Sequence, residues 1–507
     1  MMGNKARRFD PIDGLTLADL VPVDHFYRHL ERALDLSFVR DLVADSYAVG
    51  GRPSIDPVVF FKLQLVMFFE GIRSERQLLA VAADRLSVRW YLGYDLDEPL
   101  PDHSSLTRIR DRYGLAVFRR FFDAIVTQCH AVGLIWGREL YIDATKVAAD
   151  AALDSLQPRF AVDAHLAQLF ARPAADDAAT EQASPGAEAE PPPLPQGAER
   201  FRELPDPAPR GHDWLAEAGR PNRELVSGSY QRTADFRMST TDPDASPMIL
   251  ADGRTHLGYQ DHYVVDGGRA RIILATLVAP AEVQENQPAL DLLWRTCFRW
   301  KLQPRHVTGD TKYATAENIA ALERQGIHAY VPLSAAGHRP GLLRDTDFTY
   351  DPVEDVYRCP GEATLTFISQ CERTRRRLYQ APPTVCRSCA LRDQCTTSAR
   401  GRRIGRSLDE AYLERVRAYQ DTEPYAKALR KRQVWVESLF AEAKDWHGLR
   451  RFRLRGLEKV NSEALLIATG QNLKRLLSRG GWGRRPWPGG ATRLTLSRGS
   501  WSVGSML

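Results

Sequence analysis

A change of hydrophobic period near Glu139 is the feature that most constrains the fold of this chain. From about residue 15 to 135, apolar residues recur at spacings of three and four, as in DPVVFFKLQLVMFFEGI and ERQLLAVAADRLSVRWYLG, which predicts helices. From Glu139, ELYIDATKV is a short apolar and β-branched run that predicts a buried strand ending at Asp143. We therefore expect an all-α N-terminal domain over residues 1–135, followed by a different architecture.

Strand and helix patterns alternate after Leu257. GYQDHYVVDGG and RARIILATLVAP predict a hairpin turning at Gly267 and Gly268. An amphipathic helix follows, then the strand RHVTGD ending at Asp310, a helix and the strand HAYVPL. This order predicts a mixed α/β layer architecture for residues 136–478.

Two segments have compositions that do not favour a packed core. The Ala-, Pro- and Glu-rich stretch at about 157–222 cannot bury enough apolar surface to order itself, so we predict a disordered insertion. The Gly-, Pro- and Arg-rich end, residues 479–507, predicts a flexible basic tail.

The N-terminal domain includes a short helix that carries arginines. In PDHSSLTRIRDRYG, Ser104 or Ser105 is a plausible N-cap for a helix bearing Arg108 and Arg110. Several short helices ending in such a helix are typical of a helix-turn-helix-like DNA-binding module. A helical bundle used for dimerisation fits equally well, and both interpretations stay open.

The segment from Arg432 to Gly456 combines an acid, a base and a train of arginines. Glu437 and Lys444 are separated by about two helical turns and so share one helix face. The arginines that follow are Arg450, Arg451, Arg453 and Arg455. Residues 427–459 hold ten Lys and Arg against four Asp and Glu, an asymmetry that favours a polyanionic partner.

Three carboxylates are positioned to form one site. Asp143 and Asp310 end predicted strands, and ligand sites form at the carboxyl ends of strands in open α/β sheets. Glu437 on the late helix would be the third. Carboxylates gathered in this way need divalent cations between them, and oxygen ligands suit Mg²⁺ or Mn²⁺. Two such ions support phosphodiester chemistry.

Four of the seven cysteines cluster as a structural zinc site would. Cys386 and Cys389 form a Cys-x-x-Cys pair in VCRSCALRDQCT, with Cys395 beyond it and Cys359 before it. Cys371 is an alternative fourth ligand, and reduced thiols in a loop are the alternative to a metal site. We expect a small zinc-ribbon-like insertion at about 335–410.

The sequence gives no indication of membrane insertion or secretion. No apolar run approaches the roughly 20 residues of a membrane span, and the basic start lacks the apolar segment of a signal peptide. Clustered cysteines fit a reducing compartment better than a disulfide framework. We expect a cytoplasmic protein.

The acidic segments resemble those of a known family. YIDATK, VTGDTKY and VWVESLFAEAK are similar to the first, second and third acidic motifs of the DDE transposases of bacterial insertion sequences. The likeness covers most of residues 10–478. It implies a ribonuclease H-like mixed sheet flanked by helices, with Asp143, Asp310 and Glu437 as the catalytic triad.

The same resemblance gives Lys444 a role. It matches the lysine of the Tyr-Arg-Glu-Lys signature of one branch of these enzymes, which contacts phosphate near the scissile end. Gln433 and Arg430 stand where that signature has Arg and Tyr. Arg432, one residue away, is the candidate for the missing charge.

These observations predict a DNA transposase. It would bind terminal inverted repeats of double-stranded DNA as a homodimer, then cleave and transfer strands with two Mg²⁺ or Mn²⁺ ions. A related nuclease or resolvase on the same fold, or a DNA-binding derivative without catalysis, are the alternatives. Predicted DNA contacts are Lys444, Arg432, Arg450, Arg451, Arg453, Arg455, Arg108 and Arg110.

Overall fold

The structure, a computed structural model, describes residues 14–47, 54–158, 237–333, 341–372 and 374–482. The predicted disordered insertion beyond residue 158 and the predicted tail beyond residue 482 lie outside these ranges.

The described part of the chain is helical up to residue 131 and mixed thereafter. Its α-helices are α1 Leu17–Leu20, α2 Phe26–Ala33, α3 Phe38–Val43, α4 Pro57–Glu70, α5 Glu75–Asp84, α6 Leu86–Leu92, α7 His103–Ala131, α8 Ala289–Trp300, α9 Ala316–Arg324, α10 Pro383–Arg387, α11 Arg392–Cys395, α12 Glu410–Gln420, α13 Glu423–Arg432, α14 Ser438–Trp446 and α15 Leu457–Arg479. Its strands are β1 Glu139–Ala148, β2 Leu156–Pro158, β3 Arg237–Ser239, β4 Ser246–Ile249, β5 Thr255–Asp266, β6 Ile273–Pro280, β7 His306–Thr308, β8 His328–Tyr330, β9 Thr349–Asp351, β10 Val356–Arg358, β11 Thr364–Cys371, β12 Arg376–Gln380 and β13 Arg403–Ser407.

The main sheet is mixed, with β1 at its centre. β5 pairs antiparallel with β1 on one side, and β7 and then β8 pair parallel on the other. β6 pairs antiparallel with β5, as predicted for the hairpin, and β4 pairs with the beginning of β5. β6, β1, β7 and β8 therefore run in one direction, and their carboxyl ends meet at one edge.

The predicted end of the first strand at Asp143 is wrong. β1 continues to Ala148, since β5 pairs with it from Leu140 to Ala148. Asp143 therefore lies inside a strand. An antiparallel partner holds the chain extended beyond the point where the apolar run ends.

The N-terminal helices share one apolar core with the main sheet. Buried residues of α2 to α7 pack with those of β1, β5, β6 and α15 in a single cluster. Within α7, Gly114 has φ 61° and ψ 179°, so the element is two helices meeting at a kink. The Leu115 N–H that begins the second helix donates to Glu458 of α15 at 3.2 Å.

α15 covers the outer edge of β6 with two asparagine side chains. Asn472 accepts from the Ile273 N–H at 2.9 Å and donates to its carbonyl at 2.8 Å. Asn461 makes the same pair of bonds to Val278, at 2.8 and 3.0 Å. Eleven residues of helix and five of strand both span about 16 Å, so the two amides match the strand spacing. They take the place of a neighbouring strand.

Small residues and caps hold α15 against the rest of the molecule. A Cβ on Gly470 would lie 2.4 Å from the ring of Phe68 in α4, so only glycine permits this helix contact. At the other end, Asp242 accepts from the Gly456 N–H at 3.0 Å and Asp244 from the Leu457 N–H at 2.8 Å, so two N–H groups at the start of the helix have side-chain acceptors.

A second sheet lies between the last strand of the main sheet and α12. It has five antiparallel strands in the order β13-β12-β11-β10-β9. Its own core is Phe348, Tyr357, Leu365, Tyr379, Ala381 and Ile404. Among the described residues, no helix is long and apolar enough to cross a membrane.

We expect Asn472→Ala to destabilise the protein by about 1–3 kcal/mol, because it leaves the buried Ile273 N–H and C=O without partners. Thermal unfolding monitored by circular dichroism measures this change. Ser478→Ala is the matched control in the same helix, since its hydroxyl is exposed and bonds only the Lys474 carbonyl; it should stay within about 0.5 kcal/mol. Equal effects of the two variants would contradict the edge-covering role.

Candidate active site

Register brings the first two acidic residues together. Tyr141 of β1 is the partner of Thr308 of β7 in parallel pairing. Two residues further along each chain are Asp143 and Asp310, so both follow matched positions of neighbouring strands, which lie about 4.8 Å apart. Asp310 also caps the turn Thr311–Tyr313 by accepting from the Lys312 N–H at 2.9 Å. The predicted proximity of these two carboxylates follows from the strand register.

Glu437 reaches the site on a segment that is tied to the hairpin turn of β5 and β6. Lys431 donates to the Gly267 carbonyl at 2.7 Å, and Trp435 Nε1 donates to the Gly268 carbonyl at 2.9 Å. Arg271 donates to the Ser438 hydroxyl at 2.7 Å. These contacts fix both sides of Glu437.

A π-helical turn, Gln433–Glu437, joins α13 to α14. In an α-helix the residue four positions before Glu437 would share its face, whereas a π turn bonds i to i+5. The extra residue therefore moves Arg432, five positions before Glu437, onto that face. Gln433 stands where the family signature has arginine, but the π turn places Arg432 on the face of Glu437 instead.

Arg432 joins two of the three carboxylates. Its Nη1 lies 2.6 Å from Asp143 Oδ2, and its Nη2 lies 3.2 Å from Glu437 Oε1. The guanidinium is largely buried, with 16% of the side chain exposed. The carboxylates of the first and third motifs thus lie within reach of one planar cation.

The carboxylate of Asp143 is buried. Burial raises its pKa to about 6, against the lowering effect of Arg432 and of the Ala144 N–H; Asp310 and Glu285 raise it further. A buried carboxylate crowded by other carboxylates favours binding of a proton or a cation.

Glu285 is a carboxylate near Asp143 that was not predicted from the sequence. It lies in the loop after β6, is 9% exposed, and accepts from Lys312 Nζ at 2.6 Å. It follows no strand end directly, and only the parallel course of β6 and β1 carries it to the same edge.

The carboxylates of this site are the kind of oxygen ligand that divalent cations prefer. Three of their oxygens are in contact with basic side chains: Arg432 donates to Asp143 and Glu437, and Lys312 donates to Glu285. Buried Tyr313 has no hydrogen-bond partner for its hydroxyl among the described residues, and it interacts electrostatically with Asp143, Glu285 and Asp310. Within the described part of the chain, no three Asp, Glu, His or Cys side chains are already arranged to hold a metal. Arg432 and Lys312 would have to leave these oxygens before the carboxylates could hold a metal.

Lys444 sits beside a buried acid. The pKa of Lys444 is lowered, mainly by burial and also by the positive charge of Arg450. Asp261 and Asp445 act in the opposite direction. Among the described residues, the ammonium of Lys444 has no hydrogen bond or ion pair. Asp261 is fully buried and accepts from Thr276 at 2.8 Å; burial raises its pKa to about 8.

The arginine segment runs alongside the end of β1. The Ala148 N–H donates to the Arg450 carbonyl at 3.1 Å, and the Phe452 N–H donates to the Ala148 carbonyl at 2.9 Å. Arg450 and Arg455 are exposed and pair with Asp445 and Asp150.

The other arginines differ in their exposure. Arg451 is exposed, and Arg453 turns inward to Glu75 at 3.6 Å. In α7, Arg108 is exposed, whereas Arg110 is 4% exposed and pairs with Glu75 at 2.7 Å. The burial of Arg110 argues against the DNA contact predicted for it, because its guanidinium is taken up by helix packing.

The four predicted zinc ligands line one pocket of the second sheet: Cys359, Cys386, Cys389 and Cys395. A Cβ on Gly361 would lie 3.1 Å from Cys389 Sγ and 3.7 Å from Cys359 Sγ. Cys371, the alternative ligand, ends β11 and does not line this pocket.

Comparison with known families gives two matches. Residues 15–112 match the model of a transposase domain, and residues 358–477 match the model of a transposase DDE domain. The second match contains Glu437, while Asp143 and Asp310 lie outside both. No curated protein and no solved structure matches the chain significantly. The helical N-terminal region and the mixed sheet fit the ribonuclease H-like fold that a DDE domain implies.

We expect Asp261→Asn to change how stability depends on pH. Because the pKa of Asp261 is raised from 3.8 to about 8 in the folded protein, the folded state binds more protons, and wild-type stability falls as pH rises through this window. Asn cannot titrate, so the variant should lose this fall, and its Tm should rise relative to wild type from about pH 4 to pH 8. The exposed Asp393→Asn serves as control. Parallel Tm curves for wild type and Asp261→Asn would contradict the burial argument.

Proposed function

Because the two matches confirm the resemblance of this chain to the DDE transposases of insertion sequences, we propose that it binds the terminal inverted repeats of its element and performs metal-dependent strand cleavage and strand transfer. The observation that carries this proposal is the Arg432 bridge between Asp143 and Glu437. It joins the first and third acidic motifs across a separation of 294 residues (437 − 143). This contact supports a single site for the first and third acidic motifs.

Asp143, Asp310 and Glu437 would hold two Mg²⁺ or Mn²⁺ ions. When bound, such ions lower the pKa of an attacking water or hydroxyl and stabilise the leaving oxygen. The protein itself supplies the fixed spacing of Asp143 and Asp310 through strand register. It also anchors the segment that carries Glu437 at both sides, so the backbone at this position is already placed before DNA arrives.

Lys444 and the exposed arginines would bind the DNA backbone. Lys444 follows Glu437 by seven residues, and Arg450, Arg451 and Arg455 continue the positive charge past the end of β1. Arg432, once released from Asp143 and Glu437, would bind phosphate at the reacting end. Affinity from such contacts falls steeply as salt rises. Arg108 adds a separate exposed contact on α7.

Pairing of two DNA ends requires two copies of the site, so we propose a homodimer acting on double-stranded DNA in the bacterial cytoplasm. Each copy would free a 3′-hydroxyl at one end by hydrolysis. That hydroxyl would then attack target DNA in a transesterification at the same carboxylates.

We expect Asp143→Asn and Glu437→Gln each to reduce Mg²⁺-dependent nicking of a terminal-repeat duplex by about a thousandfold or more, because both remove an ionised ligand. Binding of the same duplex, measured by fluorescence anisotropy, should change by less than about threefold, since the phosphate contacts remain. Glu414→Gln, which removes an exposed carboxylate paired with Arg406 outside the site, is the matched control.

Nicking by either variant at the wild-type rate would show that the acidic assignment is wrong. Incubating the wild-type protein with pre-cleaved terminal-repeat ends and target DNA distinguishes a transposase from the alternative functions. Joined products require strand transfer, cleavage without joining indicates a nuclease or resolvase, and binding without either reaction indicates a derivative that has lost catalysis.

We also propose that Cys359, Cys386, Cys389 and Cys395 bind a structural Zn²⁺. Four thiols around one pocket, in a sheet with a core of few residues, fit the role of a metal that replaces apolar packing. Burial and the neighbouring cysteines Cys386, Cys359 and Cys389 raise the pKa of Cys395, and a bound cation would reverse this by stabilising the thiolates.

We expect the purified full-length chain to contain one zinc per molecule by inductively coupled plasma mass spectrometry, and the double variant Cys386→Ser/Cys389→Ser to contain none. Loss of the metal should also make residues 341–407 sensitive to limited proteolysis. Cys371→Ser should keep its zinc, because Cys371 does not line the pocket. Zinc retained by the double variant would rule out this site.

A further inference from the structure

Glu285 is placed in the catalytic pocket by topology. β6 runs in the same direction as β1 and β7, so the loop after β6 and the loop after β7 open at the same edge of the sheet. Glu285 comes from the first loop and Asp310 from the second. The two loops are joined by the ion pair between Glu285 and Lys312, with 2.6 Å between Oε1 and Nζ.

The polar surroundings of Glu285 point to a ligand. Its side chain is 9% exposed, whereas 59% of the Lys312 side chain is exposed, so the pocket is open on the lysine side. Next to Lys312, the hydroxyl of Tyr313 is buried and has no hydrogen-bond partner among the described residues. A buried hydroxyl beside several carboxylates is left unsatisfied unless something binds between them.

From this arrangement we propose that Glu285 is a fourth carboxylate of the metal site, and that Lys312 is the cation that occupies it when no metal is bound. This rests on the metal-dependent function proposed above. Two Mg²⁺ or Mn²⁺ ions share about twelve ligand positions among carboxylates, waters and phosphate oxygens, so a fourth carboxylate at the pocket can be accommodated. Glu285 adds an oxygen donor from the opposite side of β1.

The proposal also assigns a role to the displaced lysine. Metal binding to Glu285 breaks the ion pair, and Lys312, two residues from Asp310 and largely exposed, is then free to bind a DNA phosphate. Arg432 would be released from Asp143 and Glu437 by the same exchange. Binding of the metal would thereby convert two internal cations into DNA contacts.

Mn²⁺ binding to the full-length protein, measured by electron paramagnetic resonance without DNA, tests this directly. We expect Glu285→Gln to weaken Mn²⁺ binding at least about tenfold. Lys312→Met should instead tighten it by about fivefold, since it removes a competing positive charge from the pocket. A misfolded variant cannot bind the ion more tightly, so opposite effects of the two substitutions exclude a merely structural ion pair.

Glu31→Gln is the matched control, because Glu31 forms a similar ion pair with Lys62 at 2.7 Å in the N-terminal helices; its Mn²⁺ affinity should equal that of wild type. Asp143→Asn serves as the reference for loss of binding. If Asp143→Asn loses Mn²⁺ while Glu285→Gln keeps wild-type affinity, the fourth ligand is rejected and the proposed function stands. If wild type binds no Mn²⁺, both are rejected.

Discussion

The open edge of the main sheet is satisfied by a helix, and much of the structure depends on that contact. β6 presents unpaired backbone groups on its outer side, which Asn461 and Asn472 bond through their side-chain amides. The match of about 16 Å along helix and strand lets one straight helix reach both positions. Once α15 lies there, Gly470 admits Phe68 of α4, and Glu458 receives the N–H at the kink of α7. The N-terminal helices are thus attached to the sheet through α15.

Charge balance is the second constraint. Asp143, Asp310, Glu437 and Glu285 are gathered at one edge, and like charges so close oppose one another. Two basic side chains offset this repulsion. Arg432 forms ion pairs with Asp143 and Glu437, and Lys312 forms an ion pair with Glu285. In the metal exchange proposed above, the same two side chains would become free to bind phosphate.

Helix geometry explains why the family signature looked incomplete. Counting along an α-helix puts Gln433 on the face of Glu437, but the π turn at Gln433–Glu437 puts Arg432 there. A π turn depends on how the flanking segments are anchored, here by Lys431 and Trp435 at the hairpin turn. The spacing of residues in the sequence also does not show which side chains are buried. Arg108 and Arg110 share one short segment, yet Arg108 faces solvent and Arg110 packs against Glu75.

The sequence alone determined the helical N-terminal region, the mixed α/β order, the hairpin and the three acidic motifs, because periodicity and strand-end chemistry are local properties. It also determined the cysteine spacing, since a Cys-x-x-Cys pair is written in consecutive residues. Only the tertiary structure decided that β1 continues beyond Asp143, that Arg432 bridges two acids, and that Glu285 joins them. Each of these depends on strand pairing or helix register between segments more than a hundred residues apart, and such pairing is set by packing and charge in three dimensions.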